Sequence, residues 1–453
     1  MRKCAPVQGS NSFHSARREF YMRILFLTQY FPPETGAPQN RISYFANYFA
    51  AAGHTVTVLT ALPSYPEGKI FPDYRGVWHR EKLSEGMRIV WVWIYATKSK
   101  AFLLRLLNYF SFMFSSVLLG MGRIGEQDVI IVESPPIFLG LSGLIYKFAK
   151  KARLALNVSD LWPESAIAMG LVRNRWIIRS AVVFEELLYR HSDLITGQTR
   201  GIVKSIQSRI PNKPVALITN GVDEAGSLQD SAGVVEAKRA LGWQDTFVVG
   251  YAGLHGLVYG LETLVEAAKI LSSYPDITFV LFGDGPEKEK LVALGGQRKL
   301  PNMKFYPPQS RAQILNIIRC FDATVIPLRK LELCLGTLPS KMFEAMGAGV
   351  PVVASMLGEA QAVVNEAGAG ICVPPEDPQA IANAVLQLYG DPALRARMGK
   401  SGRQYVKRHY NRAQIASNYE QILQKTTELP PGDLSGFVDL QTAQSRPEYP
   451  QAD

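Results

Sequence analysis

The chain has little of what would mark several other functional classes. It carries only four cysteines in 453 residues, Cys4, Cys320, Cys334 and Cys372, and no C-x-x-C pair. That spacing excludes a zinc knuckle and a disulfide framework and fits a reducing compartment such as the cytoplasm. No D-x-D triplet occurs, and no His, Cys and carboxylate cluster has metal-ligand spacing. The sequence therefore predicts no bound metal and no resident cofactor. Charged residues are scarce at 19% against 47% apolar ones, which excludes a disordered chain. A long unbroken apolar run is also missing. The nearest approach, Ala101 to Met121, is interrupted by Arg105 and Asn108. It reads as an interfacial helix flanked by Lys98, Lys100 and Arg123, with a helix packed against the sheet as the alternative. Residues 1–21 lack the apolar core of a secretory signal, and Met22 directly precedes a strand. They read as a leader or a mis-assigned start.

Acidic residues are under-represented in one half only. Residues 1–220 hold 27 Lys+Arg against 14 Asp+Glu, a net of +13, whereas the remainder holds 22 against 25. The first half thus faces something anionic. Its basic residues are not interleaved with aromatics as in a nucleic-acid module, so a phosphorylated ligand or an anionic membrane surface fits better than nucleic acid.

Short apolar strands alternate with longer amphipathic segments, the pattern of parallel sheets covered by helices. Strands are expected at 23–29, 55–60, 89–94, 128–132, 154–158, 194–196 and 215–218. After a polar stretch from Asn220 to about Gln244 they resume at 247–252, 277–282, 303–306, 323–327, 350–354 and 370–373. The fold class is α/β, with two domains, 22–219 and 220–428, and a disordered tail at 429–453.

Three constellations carry chemistry. The loop Tyr30–Pro38 joins the first strand to a helix, and Gly36 would let backbone amides approach a phosphate or sugar there. It holds no G-x-G-x-x-G, which weakens a dinucleotide reading. In Asn157–Glu164, Asp160 falls at a strand end before a Pro-marked helix, where a carboxylate points into the cleft or caps that helix. Glu133 is a second carboxylate at an equivalent strand end. In Leu338–Ala354, Ser340 and Lys341 open a helix whose free amides and ammonium suit a diphosphate, and Glu344 lies one turn further.

These segments resemble the retaining glycosyltransferases of family 4, which have the GT-B fold of two facing Rossmann-like domains. The match includes Ile24–Gln29 with its Pro/Gly loop, Ala52–Thr60, Asn220–Asp223, Tyr251–Gly253, Gly260–Glu262, Phe282–Pro286 and Ser340–Ala354, and it spans about Arg23 to Gln424. Pro63–Lys69 and Ser159–Glu164 are similar to the branch of amino-sugar (fucosamine-type) transferases of bacterial surface polysaccharides, including lipopolysaccharide. The resemblance implies a nucleoside-diphosphate sugar donor, probed at Gly36, Asn220, Gly253, Gly283, Tyr306, Ser340, Lys341 and Glu344. It implies UDP as the nucleotide and metal-independent transfer with retention, and Asp160 and Glu133 are the catalytic candidates. It also implies a lipid-linked or glycan acceptor, with the protein peripheral on the inner face of the cytoplasmic membrane. Three departures stand out. Many members carry two glutamates eight residues apart, but the first position here is Gly336. Many have Arg and Lys after the glycine matching Gly253, where this chain has Leu254–Tyr259. Asp160 stands where many members have His. A sugar-nucleotide epimerase of the same architecture and an inactive nucleotide-sugar-binding homologue are the alternatives.

Overall fold

Parallel strands need a crossover to return the chain, and the amphipathic segments between these β-branched and aromatic runs supply it as helices. The computed structural model describes residues 21–99, 101–168, 172, 174–223 and 231–430. The leader apart from Tyr21, the tail beyond residue 430, Lys100 and part of the polar connection after Asn220 lie outside the described residues.

The first sheet contains β1 (Arg23–Leu27), β2 (Thr55–Ala61), β3 (His79–Ser84), β4 (Met87–Val92), β5 (Val129–Ser134), β6 (Arg153–Val158), β7 (Leu194–Gly197) and β8 (Val215–Leu217). Their order is β3-β4-β2-β1-β5-β6-β7-β8, with β3 antiparallel to β4 and the other pairings parallel. The second sheet contains β9 (Phe247–Ala252), β10 (Ile277–Phe282), β11 (Met303–Tyr306), β12 (Ala323–Pro327), β13 (Val352–Ser355) and β14 (Gly370–Val373). It is parallel throughout, in the order β11-β10-β9-β12-β13-β14. Strand order reverses beside β1 in one sheet and beside β9 in the other, and ligands of such sheets sit at the carboxyl ends there.

The structure adds β3 to the expected strands. It is an exposed edge strand, HREKLS, with no buried face to leave an apolar alternation in the sequence. The apolar segment at 101–121 forms the helix Phe102–Leu118. The last helix, Arg412–Glu428, leaves the second domain and buries Ala416, Tyr419, Ile422 and Leu423 in the core of the first. Tyr419 packs edge-on to Phe45 at 5.5 Å and lies 5.9 Å from Phe49. Burial of each such aromatic contributes about 1.5–3 kcal/mol, so this helix fastens the two domains together.

Candidate active site

At the carboxyl edge of the first sheet, the short polar residues ending β5, β6 and β7 converge on one buried ion pair. Arg41, from the helix Ala37–Ala51, donates through Nη2 to Glu133 Oε2 at 2.9 Å and Oε1 at 3.1 Å. Asn157 Nδ2 donates to Glu133 Oε2 at 2.6 Å and its Oδ1 accepts from Thr196 at 2.7 Å. Ser159 donates to Glu133, and the Gln198 amide lies within hydrogen-bonding range of Arg41, Ser159 and Asn220. Glu133 and Arg41 are both buried, so Glu133 is committed to a guanidinium inside the domain. Asn220 is tied to the same network. Gly36 precedes the helix Ala37–Ala51, which has no side-chain cap, and a β-carbon there would collide with the Gln39 amide.

Asp160 lies beyond β6 and is exposed on its solvent side. The short helix Glu164–Ala168 that follows it touches the helix Glu332–Leu335 of the second domain, which places Asp160 at the junction. Desolvation on its protein side pushes the carboxyl up to about 6, against the hydrogen bonds of Ser165 and the Leu161 amide. A carboxylate raised in this way protonates as pH falls through 6. If Asp160 supplies negative charge to the transition state, wild-type turnover drops below pH 6. Asp160→Asn then lowers kcat by about 100-fold and removes that limb of the pH profile. An Asn variant with wild-type kcat and an unchanged profile would sink the assignment.

In the second domain, Lys341 enters from the helix Ser340–Ala348, whose N-terminus has no side-chain cap. Its Nζ donates to Tyr251 Oη at 2.6 Å and stands 3.4 Å from the Tyr259 ring centroid. No carboxylate pairs with it among the described residues, and burial holds the ammonium well below the usual lysine value. Gly253 leaves the opening for it: with φ +148°, a β-carbon at that position would lie 3.0 Å from Lys341 Nζ. The segment after Gly253 carries no Arg or Lys of its own, and the cation that stands beside Gly253 comes from a distant helix. Gly283, at φ +135°, lets its loop close onto the Gly253 carbonyl, and Lys288 Nζ caps the Gly283 carbonyl at 2.7 Å. Tyr306 stacks on Phe282 at 4.5 Å with 7° between the rings. Glu344 departs from a simple ribose acceptor, since its Oε1 already receives Arg311 Nη1 at 3.1 Å. Arg311 also reaches Asp223, which is bound by Arg412, so this chain of charges runs from Glu344 to the interdomain crossing.

Glu359 and Gly336 add further direct contacts between the domains. Glu359 accepts the backbone N–H of Arg200 and of Gly201, each at 3.0 Å, and so caps the N-terminus of the first domain's helix Arg200–Arg209. A β-carbon on Gly201 would stand 2.8 Å from Gly336 Cα. The absent first glutamate thus has a physical reason: at Gly336 two backbones meet. Arg41, Arg311 and Glu359 were not singled out from the sequence, and Tyr251 and Tyr259 were read there only as ends of the segments on either side of Gly253. Their partners are remote, and only the Gly-rich turns signalled close backbone approach.

Two parallel-sheet domains whose ligand edges meet across such a junction define the GT-B class. Residues 36–221 match the family described as Glycosyl transferase 4-like domain, and residues 236–405 match Glycosyl transferases group 1. The chain thus carries a glycosyltransferase 4-like domain followed by a group 1 glycosyltransferase domain. It is 28% identical to WcaI of Escherichia coli (strain K12), a glycosyl transferase ascribed to colanic acid biosynthesis, over 81% of this chain and 92% of that protein. It is 25% identical to the D-inositol 3-phosphate glycosyltransferase of Corynebacterium urealyticum, over 59% of this chain and 66% of that one. The structure of Anabaena Alr3699/HepE in complex with UDP superposes with a TM-score of 0.66 at 18% identity, covering 89% of this chain and all of that one (100%). WaaG, a glycosyltransferase of lipopolysaccharide biosynthesis, gives 0.64 at 14% identity, over 88% and 99%. At these identities the structural likeness is one of fold.

Proposed function

We propose that the protein transfers a sugar from a nucleoside diphosphate, UDP in our reading, to a hydroxyl of a lipid-linked or polysaccharide acceptor with retention at the anomeric carbon. One observation carries this: Lys341 is a desolvated ammonium caged by two tyrosines at the uncapped start of a helix, with no ion-paired carboxylate among the described residues. Such a site is completed by an anion. The acceptor oxygen bonds to the anomeric carbon as the bond to the diphosphate breaks, and the hydroxyl proton departs with the nucleoside diphosphate. Fixed positive groups that need no reorganisation favour the charge developing on that diphosphate, which makes a divalent ion dispensable. HepE, which shares the fold, was solved with UDP. The sequence resemblance favours an N-acetylated amino sugar.

The test is a panel of UDP- and GDP-sugars with membranes containing polyprenyl-diphosphate-linked glycans, in EDTA. Acceptor-dependent release of one nucleoside diphosphate is expected. Interconversion of the donor alone would make the protein an epimerase, and binding without turnover an inactive homologue.

We also read the first domain as a peripheral binder of the inner membrane face. No described helix is long and apolar enough to cross a membrane. The helices Phe102–Leu118 and Leu139–Lys150 contain no carboxylate, and Tyr146 Oη ties them by donating to the Ser116 carbonyl at 2.8 Å. Their outer sides expose Leu103, Leu107, Phe114, Leu118, Ile145 and Phe148, with Phe114 58% and Phe148 68% exposed. Arg105, on the first of these helices, and Lys151, at the end of the second, pair with no carboxylate among the described residues. An apolar face edged with unpaired cations fits an anionic bilayer surface. Flotation with phosphatidylglycerol vesicles is expected, and with phosphatidylcholine alone it is not. Phe114→Glu with Phe148→Glu lowers vesicle affinity by at least about tenfold. Unchanged flotation of the double variant would remove the reading.

A further inference from the structure

One buried polar group at the edge of the first sheet is Glu34, a residue that neither the charge network nor the anion site uses. It sits in the loop after β1 and is only 4% exposed. Its Oε1 accepts two consecutive backbone N–H groups, from Ser64 at 2.7 Å and Tyr65 at 2.8 Å, in the loop that follows β2. Glu34 therefore joins the two loops that rise from adjacent strands at the ligand edge of the first sheet. Its Oε2 is buried and accepts no hydrogen bond of good geometry, although the Gln39 amide stands close enough to favour the carboxylate. An unpartnered buried carboxyl oxygen costs folding free energy, about 1–3 kcal/mol or more if charged, and calls for an explanation.

Several features show where that oxygen belongs. Tyr65 is 40% exposed and packs edge-on to Tyr30 with ring centroids 5.9 Å apart, so a partly exposed ring stands on the residue whose amide Glu34 holds. The Tyr65 phenol is raised by burial, then by Glu34, then by Asp284 of the second domain, so the two carboxyl groups approach it from opposite domains. The loop itself is rigid behind this ring. Gly68 N–H is bonded to the Ser64 carbonyl at 2.7 Å, and Phe71 N–H to the Pro63 carbonyl at 2.9 Å. Gly68, at φ +63°, packs against the backbone at Thr97 and Lys98. A fixed carboxyl with one spare oxygen, beside two tyrosines in the loops at the ligand edge of the first sheet, is matched to a neutral donor. A sugar hydroxyl is such a donor and a phosphate is not.

We propose that Glu34 Oε2 accepts a hydroxyl of the glycosyl acceptor, with Tyr65 moving aside to admit it, while Oε1 holds the walls of the acceptor site together. This rests on the transferase reading and adds the group that orients the incoming sugar. The two oxygens separate the roles by mutation. Glu34→Gln keeps a carbonyl oxygen for the Ser64 and Tyr65 amides but replaces the accepting Oε2 by an N–H donor. Glu34→Ala removes both.

The experiment compares wild type, Glu34→Gln and Glu34→Ala. It measures transfer to a polyprenyl-diphosphate-linked N-acetylhexosamine in detergent, hydrolysis of the donor by water, and UDP affinity. For Glu34→Gln, kcat/KM for the acceptor falls by about 10- to 100-fold, mainly through KM. Donor hydrolysis, UDP affinity and Tm stay near wild type, whereas Glu34→Ala also melts earlier. Wild-type transfer by Glu34→Gln overturns the inference. So does a parallel loss of hydrolysis and UDP binding, which would place Glu34 with the donor or in folding alone. A wild type that binds UDP yet transfers to no acceptor removes the transferase reading itself, and the inference falls with it.

Discussion

Replacing Lys341 by Ala lowers kcat/KM for the nucleotide sugar by roughly 100- to 1,000-fold, the range expected on losing one preorganised group that meets developing charge. The cost falls on UDP binding as well, because the diphosphate is present in donor and product alike. Lys341→Arg does not rescue it. The ammonium already lies 3.0 Å from where a Gly253 β-carbon would be, and a planar guanidinium needs more room. Calorimetric titration with UDP and steady-state kinetics measure both effects. Full activity in the Ala variant would transfer the leaving-group role elsewhere. The pH dependence has a definite sign. Burial depresses Lys341 below its ordinary 10.5, so it loses its proton early and UDP affinity weakens as pH rises through the depressed value. The unfolded chain binds the proton more tightly than the folded one. Stability without ligand therefore rises with pH between the depressed value and 10.5, and bound UDP, by countering the charge, reduces that rise.

Glu133→Ala has the largest expected effect on stability. It leaves the Arg41 guanidinium buried beside Asn157 and Ser159 with no counter-charge, and breaking a buried pair from one side costs about 3–5 kcal/mol. For a domain of this size that is a fall in Tm of about 10 °C. Scanning calorimetry of the variant and of Glu133→Gln reads it. The result also decides between the sequence reading of Glu133 as catalytic and its place in the structure. A variant that melts like wild type but does not turn over would restore the catalytic role.

Much of the architecture was visible because each sheet is built from buried strands whose apolar runs stand apart from the amphipathic helices between them. The edge strand β3 was not, since a two-sided polar strand leaves no period to read. Its one signal, the Glu85-Gly86 turn with both residues at positive φ, is the tight hairpin type and lay in plain view. At the site, the glycines at 253, 283 and 336 announced close backbone approach without saying what approached. In one case it is a lysine, in another a carbonyl and in the third the opposing domain. The Ser340-Lys341 pair was legible because helix-start chemistry is local. The Arg41–Glu133 pair was not, because the guanidinium sits on the helix after β1 and finds its carboxylate at the end of the neighbouring β5, 92 residues on in the chain. Glu344 was placed correctly on its helix, but its engagement with Arg311 depends on packing that no local pattern encodes.

While the domains are together, the amides at Arg200 and Gly201 are bonded to a side chain of the opposite domain, so the protein supplies its own counter-charge at that helix terminus. Parting the domains there would return both the amides and the Glu359 carboxylate to water. The junction is therefore held by charge as well as by the apolar face of the helix Arg412–Glu428, and only the charged part weakens as ionic strength rises.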